Sequence, residues 1–186
     1  MISENDLESY EAFVMGDIGS FEHLVIKYRD QLVSFIYRYT KDIYLAQDLA
    51  QDAFVEILVH KDRFDKVSSF KTYLFTIGRN KAVDYIRKNK KYLFVDEALD
   101  YLEPVKGLEE AVIQNEEKKK LYHTLYQLKL EYQVAIILID FEELSYQEAA
   151  QVMGKSLGQM KVLVHRARKS LAKLIVKEGD SYERLE

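Results

Sequence analysis

Residues 144–171 read LSYQEAAQVMGKSLGQMKVLVHRARKSL, and their spacing predicts a helix-turn-helix. Ala150 lies four positions before Gly154, so a small residue falls where two helices cross and a glycine falls where a tight turn needs positive φ. After the turn, apolar residues repeat at intervals of three and four and predict one buried seam: Leu157, Met160, Val164, Ala167, Leu171 and Leu174. Basic and polar residues then face away from this seam, as docking in a major groove requires.

This stretch is strongly basic, although the chain is acidic overall. Residues 155–173 carry six Lys or Arg and no acid, whereas the whole chain has net charge −4 and a pI near 5.7. A second basic segment, residues 70–91, carries seven cations and one acid, Asp84, so each segment is +6 and the remaining residues carry −16. One such segment could be a solvated helix face, but two of them favour phosphate binding.

The composition narrows the class of protein. Seven Gly and one Pro among 186 residues, with few alternating β-branched runs, predict an all-α fold. The absence of Cys excludes disulfides and thiolate metal sites, and the four histidines lack ligand spacing: His23, His60, His123 and His165. We therefore expect no cofactor, no metal and, without a nucleophile motif or a Gly-rich phosphate loop, no enzyme.

The N-terminal sequence and the hydropathy pattern indicate in which cellular compartment the protein works. MISENDLESY is acidic and polar, unlike a signal peptide, and no apolar run approaches the roughly 18 residues that span a bilayer. We expect a cytoplasmic protein with no direct membrane insertion.

Helical periodicity predicts two small helical domains. A short helix before Gly16 and three longer ones, with Ser69 capping the last, form a first domain at residues 1–91. Residues 96–117 hold eight acids against one Lys, so residues 92–115 are predicted to be a flexible acidic linker. Helical spacing returns at Glu116 and predicts a second domain at residues 116–186.

The last helix of the first domain has a basic face that is interleaved with aromatic residues. Its outward positions are Lys71, Arg79, Asn80, Lys81, Arg87, Lys88 and Lys91. Cations for the backbone and aromatic rings for the bases are typical of single-stranded DNA binding, and Tyr73 and Phe75 lie between the cations. The alternative for either ring is packing in the core. The preceding polar loop, RFDKVSSF at residues 63–70, could enclose an extruded base.

In this order and spacing, the motifs resemble extracytoplasmic-function (ECF, group 4) sigma factors of the sigma-70 family over about residues 10–176. AQDLAQDAFVEIL at 46–58 resembles region 2.2, and SSFKTYLFTIGRNKAVDYIRK at 68–88 resembles regions 2.3 and 2.4. LSYQEAAQVMG at 144–154, followed by VHRARKSL at 164–171, resembles region 4.2. The resemblance implies that the two domains are a sigma region 2 helical bundle and a sigma region 4 helix-turn-helix.

The resemblance also implies three binding surfaces. The residues implied to bind the clamp helices of the RNA polymerase β′ subunit are Asp48, Gln51, Asp52 and Phe54. Those implied to bind the minus-10 element and its flipped base are Asp65, Lys66, Ser68, Ser69, Phe70, Lys71, Arg79, Asn80, Asp84, Arg87 and Lys88. Those implied to read the minus-35 element are Ser156, Gln159, Lys161, His165, Arg166 and Arg168.

The implied function is that of a non-enzymatic transcription initiation factor. Such a factor binds core RNA polymerase at the β′ clamp helices and the β flap, recognises both promoter elements and promotes melting at minus-10. An inhibitory anti-sigma factor, often membrane-anchored in this family, is a further implied partner. Several residues depart from the family pattern: Lys155 replaces the usual Ile, Val162 and Leu163 replace Ser and a frequent DNA-contacting Arg, Lys129 replaces a Pro and Glu143 replaces a Gly. We expect these changes to alter the minus-35 preference, with Leu163 a candidate for contact with a thymine methyl group.

Without the family resemblance, the sequence allows two other functions. A stand-alone helix-turn-helix regulator would use the N-terminal domain for sensing or dimerisation, but that role does not need the basic aromatic helix at 70–91. A helical interaction protein without a DNA role would leave both basic segments unexplained.

Overall fold

The computed structural model describes residues 4–93 and 116–183, and every regular element in these ranges is helical. The α-helices are α1 (Glu4–Val14), α2 (Ile18–Thr40), α3 (Ile43–Val59), α4 (Phe70–Leu93), α5 (Glu116–Tyr126), α6 (Leu130–Ile136), α7 (Tyr146–Met153) and α8 (Leu157–Glu183). A 3-10 turn (Lys61–Arg63) follows α3, and a π-helical turn (Ile137–Phe141) follows α6. The predicted all-α fold is confirmed.

The chain forms two compact units, whose main parts lie before and after residue 95. This agrees with the predicted division into two helical domains. Residues 94–115, which make up most of the predicted linker, lie outside the described residues. Within the described ranges, no helix is both long enough and apolar enough to cross a membrane.

Local polar caps define where the helices of the first unit begin. The Asp17 carboxylate accepts from the Gly19 N–H at 3.0 Å at the start of α2, and Asp42 accepts from two backbone N–H groups at the start of α3. Ser69 caps α4 as predicted, because its hydroxyl accepts from the Thr72 N–H at 3.2 Å. Caps of this kind satisfy backbone donors that have no partner within the helix.

An aromatic cluster fills the core of the first unit. Tyr10 contacts Phe64 and Phe70 with ring centroids 4.9 and 5.5 Å apart, and Phe35 contacts Phe75 at 5.0 Å. Burial raises the pKa of Tyr10 to about 12, and its hydroxyl donates to the Lys61 carbonyl at 2.7 Å. Phe75 is fully buried, so the alternative of core packing is correct for this ring.

Gly78 allows α2 and α4 to approach closely. A Cβ at this position would lie 2.7 Å from Leu32 Cδ1 and 3.3 Å from Ile36 Cδ1, and both of these side chains are fully buried. We expect Gly78→Ala to lower the free energy of unfolding by about 1 kcal/mol, because overpacking of about 1–3 kcal/mol outweighs the gain in helix propensity. Urea unfolding measures the change.

Gly158→Ala is the matched control for this prediction. Gly158 also lies in a helix, but a Cβ there would meet no atom within 4 Å. It should leave stability unchanged or raise it slightly. A Gly78→Ala protein as stable as the wild type would show that the helix crossing tolerates a methyl group.

The second unit has its own apolar core. Leu125, Leu128, Ile136, Ile137 and Ala167 are buried together, and Leu171 and Leu174 pack against them as predicted for the seam. The buried Gln133 side chain closes the turn between α5 and α6 by donating to the Leu128 carbonyl at 2.7 Å. The long helix α8 is therefore held against the helices that precede the turn motif.

The predicted helix-turn-helix is present as α7, a short turn and α8. Gly154 has φ of 62°, as the turn prediction required, and the Lys155 N–H donates back to the Ala150 carbonyl at 2.9 Å. Bonds in this six-to-one pattern end helices at a left-handed glycine. The predicted seam is correct from Met160 onward, but Leu157, the first residue of α8, is 42% exposed and is not part of it.

Candidate nucleic-acid interface

An exposed acidic stripe lies on α3. Asp48, Gln51 and Asp52 are all exposed, and their spacing of three and four places them on one helix face. Within the described residues, neither carboxylate takes part in an ion pair, so both charges are available to a basic partner. Sequence reasoning missed the exposed apolar residues Val55 and Val59, which continue this stripe by one and two turns.

Phe54 belongs to the core instead of this face. Its side chain is 7% exposed, and its ring lies 6.4 Å from that of Phe21. A partner could reach the ring only by displacing helix packing. This burial favours a structural role for Phe54, holding α3 in place, over the predicted contact with polymerase.

The loop before α4 is part exposed and part buried. Asp65 and Lys66 are exposed, Ser68 is half-buried, and Ser69 and Phe70 are buried. Ser69 is engaged as the cap of α4, and Phe70 packs in the aromatic core, so the structure favours structural roles for these two members of the predicted base-binding set. The loop turns sharply at Lys66, which has φ of 61°.

One ion pair fixes the loop before α4, and two others neutralise part of the positive charge on α4. The Lys66 ammonium lies 2.6 Å from a Glu11 carboxylate oxygen. Lys81 pairs with Glu56 at 2.8 Å, so the excess positive charge of this face comes from its other cations. Asp84, predicted to belong to the minus-10 set, pairs with Arg87 at 3.1 Å, although both groups are largely exposed.

The outward residues of α4 form a basic surface near the loop. Asn80, Arg87 and Lys88 are exposed, while Lys71 and Arg79 are half-buried. The side chain of Lys91 lies outside the described residues. Of the two predicted stacking aromatics, only Tyr73 is partly accessible, and its ring stacks on Phe64 with centroids 5.0 Å apart. Burial, followed by the nearby Glu56 charge, raises the pKa of Tyr73, which keeps its hydroxyl protonated.

Both helices of the turn motif begin with reciprocal caps. At α7, the Ser145 N–H donates to Glu148 Oε2 at 3.0 Å and the Glu148 N–H donates to Ser145 Oγ at 3.2 Å. At α8, the Ser156 N–H donates to Gln159 Oε1 at 2.8 Å and the Gln159 N–H donates to Ser156 Oγ at 3.2 Å. Ser156 and Gln159, predicted to contact DNA, thus form a capping box that fixes the start of the second helix.

We expect Ser156→Ala to lower the free energy of unfolding by about 1 kcal/mol, the usual cost of losing a serine cap. Ser170→Ala, within the same helix, is the matched control and should have little effect on urea unfolding. If Ser156→Ala unfolds like the wild type but binds promoter DNA less well, the residue serves DNA contact instead of capping.

The remaining residues of α8 that were predicted to contact the minus-35 element differ in whether their side chains are already bound within the protein. Lys161, His165 and Arg166 are exposed. The Arg168 guanidinium is instead held by both oxygens of Asp140, with Nε 3.2 Å from Oδ2, and by the Tyr146 hydroxyl. This hydrogen bond to Asp140 raises the pKa of Arg168. Arg168 therefore braces α8 against the π-helical turn and α7, although its side chain remains 49% exposed.

No metal site accompanies these surfaces in residues 4–93 and 116–183, where no group of three or more His, Asp or Glu is placed to hold an ion. The surfaces consist of an acidic stripe on the first unit, a basic face with a sharply turned loop on the same unit, and a basic second helix of a turn motif.

Comparison with known proteins identifies the family. Residues 24–92 match the family described as Sigma-70 region 2, and residues 118–171 match Sigma-70, region 4. RNA polymerase sigma factor YlaC of Bacillus subtilis is 34% identical over 168 residues, which cover 87% of this chain and 95% of YlaC. ECF RNA polymerase sigma factor SigW of the same organism is 30% identical over 85% of this chain and 90% of SigW.

Solved structures agree with these sequence matches. The sigma factor RpoE, in complex with the anti-sigma factor NepR from Bartonella quintana, matches with a TM-score of 0.70 at 27% identity, covering 85% of this chain and 98% of that chain. CnrH, in complex with the cytosolic domain of CnrY, matches with a TM-score of 0.68 at 25% identity, covering 94% and 99% of the two chains.

The chain belongs to the sigma-70 family of transcription initiation factors. Within that family it is an ECF sigma factor, which initiates transcription through promoter recognition with RNA polymerase. The alternative of a stand-alone helix-turn-helix regulator is not favoured.

Proposed function

We propose that each exposed surface performs one step of initiation. The α3 stripe of Asp48, Gln51 and Asp52 binds core polymerase at the β′ clamp helices. The loop residues Asp65, Lys66 and Ser68, with the basic face of α4, bind the minus-10 element. The outward side of α8 reads the minus-35 element. The observation that carries this proposal is that the family match at 24–92 contains the basic segment 70–91, and the match at 118–171 contains five of the six cations of the basic segment 155–173.

The charges fit these assignments. Carboxylates four residues apart on one helix face suit a basic groove on a protein partner, whereas a duplex would repel them. The α4 cations suit the phosphates of a strand being separated from its complement. Extruding a base costs a few kcal/mol, which contacts from the loop and from α4 must offset. The protein supplies binding energy and no catalysis of its own, and it works where RNA polymerase works, in the cytoplasm.

An anti-sigma factor is a proposed partner. The two structural relatives described above were each solved in a complex: RpoE with the anti-sigma factor NepR, and CnrH with the cytosolic domain of CnrY. A partner of this kind would compete for the α3 stripe or for the basic surfaces, and a membrane-anchored partner would keep the factor from polymerase until release.

Reconstituted transcription tests the proposal. The purified chain is added to core RNA polymerase free of other sigma factors, and run-off transcripts are sought on fragmented genomic DNA of the host. Binding to core and discrete transcripts are expected. Failure to bind core would contradict the proposal, and duplex binding without core would revive the stand-alone regulator.

A further inference from the structure

Val162 lies at the centre of the outward surface of α8. Its side chain is 49% exposed, and the four residues one turn away on either side are also exposed: Gly158, Gln159, His165 and Arg166. The buried side of the helix is formed by Met160, Val164 and Ala167. With about 100° between successive residues, Val162 points almost directly away from that buried side.

The surface around Val162 leaves room for DNA to approach the helix closely. One turn earlier, Gly158 has no side chain, and a Cβ built there would have no atom within 4 Å. Leu163, which sequence reasoning favoured for an apolar DNA contact, is half-buried in the shallow groove that Tyr132 of α6 lines, whereas Val162, which also lines this groove, is 49% exposed. The valine is therefore the more exposed of the two aliphatic side chains.

Cations surround this aliphatic centre. Lys161, Arg166 and Lys169 are exposed around it, so phosphates would be held at its flanks and base edges would be brought against the valine. A valine offers no hydrogen bond, and placing it over a polar base edge would desolvate that edge without a partner. The apolar group that the major groove offers is the C5-methyl of thymine.

We infer that Val162 reads the methyl group of one thymine in the minus-35 element. The inference rests on the proposed role of α8, and it assigns a base preference to a position where the family usually has Ser. Contact with one methyl group is worth about fourfold in affinity, from the transfer free energy of a methyl-sized group.

Deoxyuridine substitution isolates this contact, because uracil keeps every hydrogen-bonding group of thymine and lacks only the methyl. The full-length chain with core polymerase first selects its preferred site from DNA randomised at minus-35. Each thymine of that site is then replaced singly, and binding is measured with wild type, Val162→Ala and the control Val176→Ala, a 62% exposed valine on the same helix.

At one thymine we expect the replacement to weaken binding by wild type and Val176→Ala about fourfold, and to leave Val162→Ala unaffected. Equal losses for Val162→Ala and wild type at every thymine would overturn the inference. If the chain binds core and the resulting holoenzyme melts minus-10 DNA but selects no minus-35 sequence, the proposed role of α8 in reading that element is wrong, and so is the inference. Loss of core binding would instead contradict the proposed function as a whole.

Discussion

Replacing Asp48 and Asp52 together with alanine is expected to weaken binding to core RNA polymerase by about 100-fold, close to 3 kcal/mol. Both carboxylates are exposed on one face of α3, and neither is in an ion pair within the described residues. Their charges therefore contribute little to the fold and are available to a basic groove. Truncating one member of a desolvated charge pair costs about 2–5 kcal/mol of binding free energy. Because the double variant loses two such carboxylates, the value of about 3 kcal/mol is a conservative estimate.

Fluorescence anisotropy of the labelled chain, titrated with core polymerase, measures this loss. Glu22→Ala removes an exposed acid from α2 and serves as the matched control, with affinity expected to match the wild type. Circular dichroism should show unchanged helicity in all variants, since alanine is a stronger helix former than aspartate. Wild-type affinity in the double variant would refute the assigned interface.

Phe54→Ala distinguishes a core residue from an interface residue. Because this ring is 7% exposed, its removal should cost about 3–5 kcal/mol of stability, the usual range for a buried phenylalanine. Any loss of polymerase binding should then follow the folded fraction. If the variant instead remains fully folded and fails to bind core, Phe54 does belong to the interface.

Periodicity predicted the buried helix faces well because burial follows the 3.6-residue repeat. The family resemblance assigned Phe54 and Phe70 to binding, and the neighbouring cations suggested binding by Phe75, but all three rings are buried. Their placement depends on where neighbouring helices cross, which a single helix does not encode. The exposed Val55 was missed for the same reason.

The capping role of Ser156 was readable from the sequence, since Ser followed three residues later by Gln is a capping-box pattern. The family resemblance directed attention to DNA instead. The bond between Arg168 and Asp140 was not readable, because it joins residues 28 positions apart on different elements. Long-range pairs of this kind arise only from the packed helices.

Replacing Arg87 and Lys88 with alanine is expected to weaken open-complex formation about 25-fold at 100 mM salt, the tenfold step from 1 M salt raised to the power of about 1.4 for two lost phosphate contacts. Both side chains are exposed on α4, and the Arg87 pair with Asp84 is too solvated to hold the guanidinium away from a phosphate. Each lost contact to a single strand reduces the slope of log affinity against log salt by about 0.7. Between 50 and 200 mM salt, the wild type should therefore lose about sevenfold more affinity than the variant.

Permanganate reactivity of unpaired thymines near minus-10, measured across this salt range, reports the open complex. Arg29→Ala is the matched control, since Arg29 is an exposed cation on α2 that likewise pairs with a nearby acid, Asp30, at 2.9 Å. It should change neither melting nor its salt slope. A double variant with reduced melting but an unchanged slope would mean that the two cations position the helix without meeting phosphates. The salt slope therefore tests direct strand contact, which a loss of melting alone cannot do.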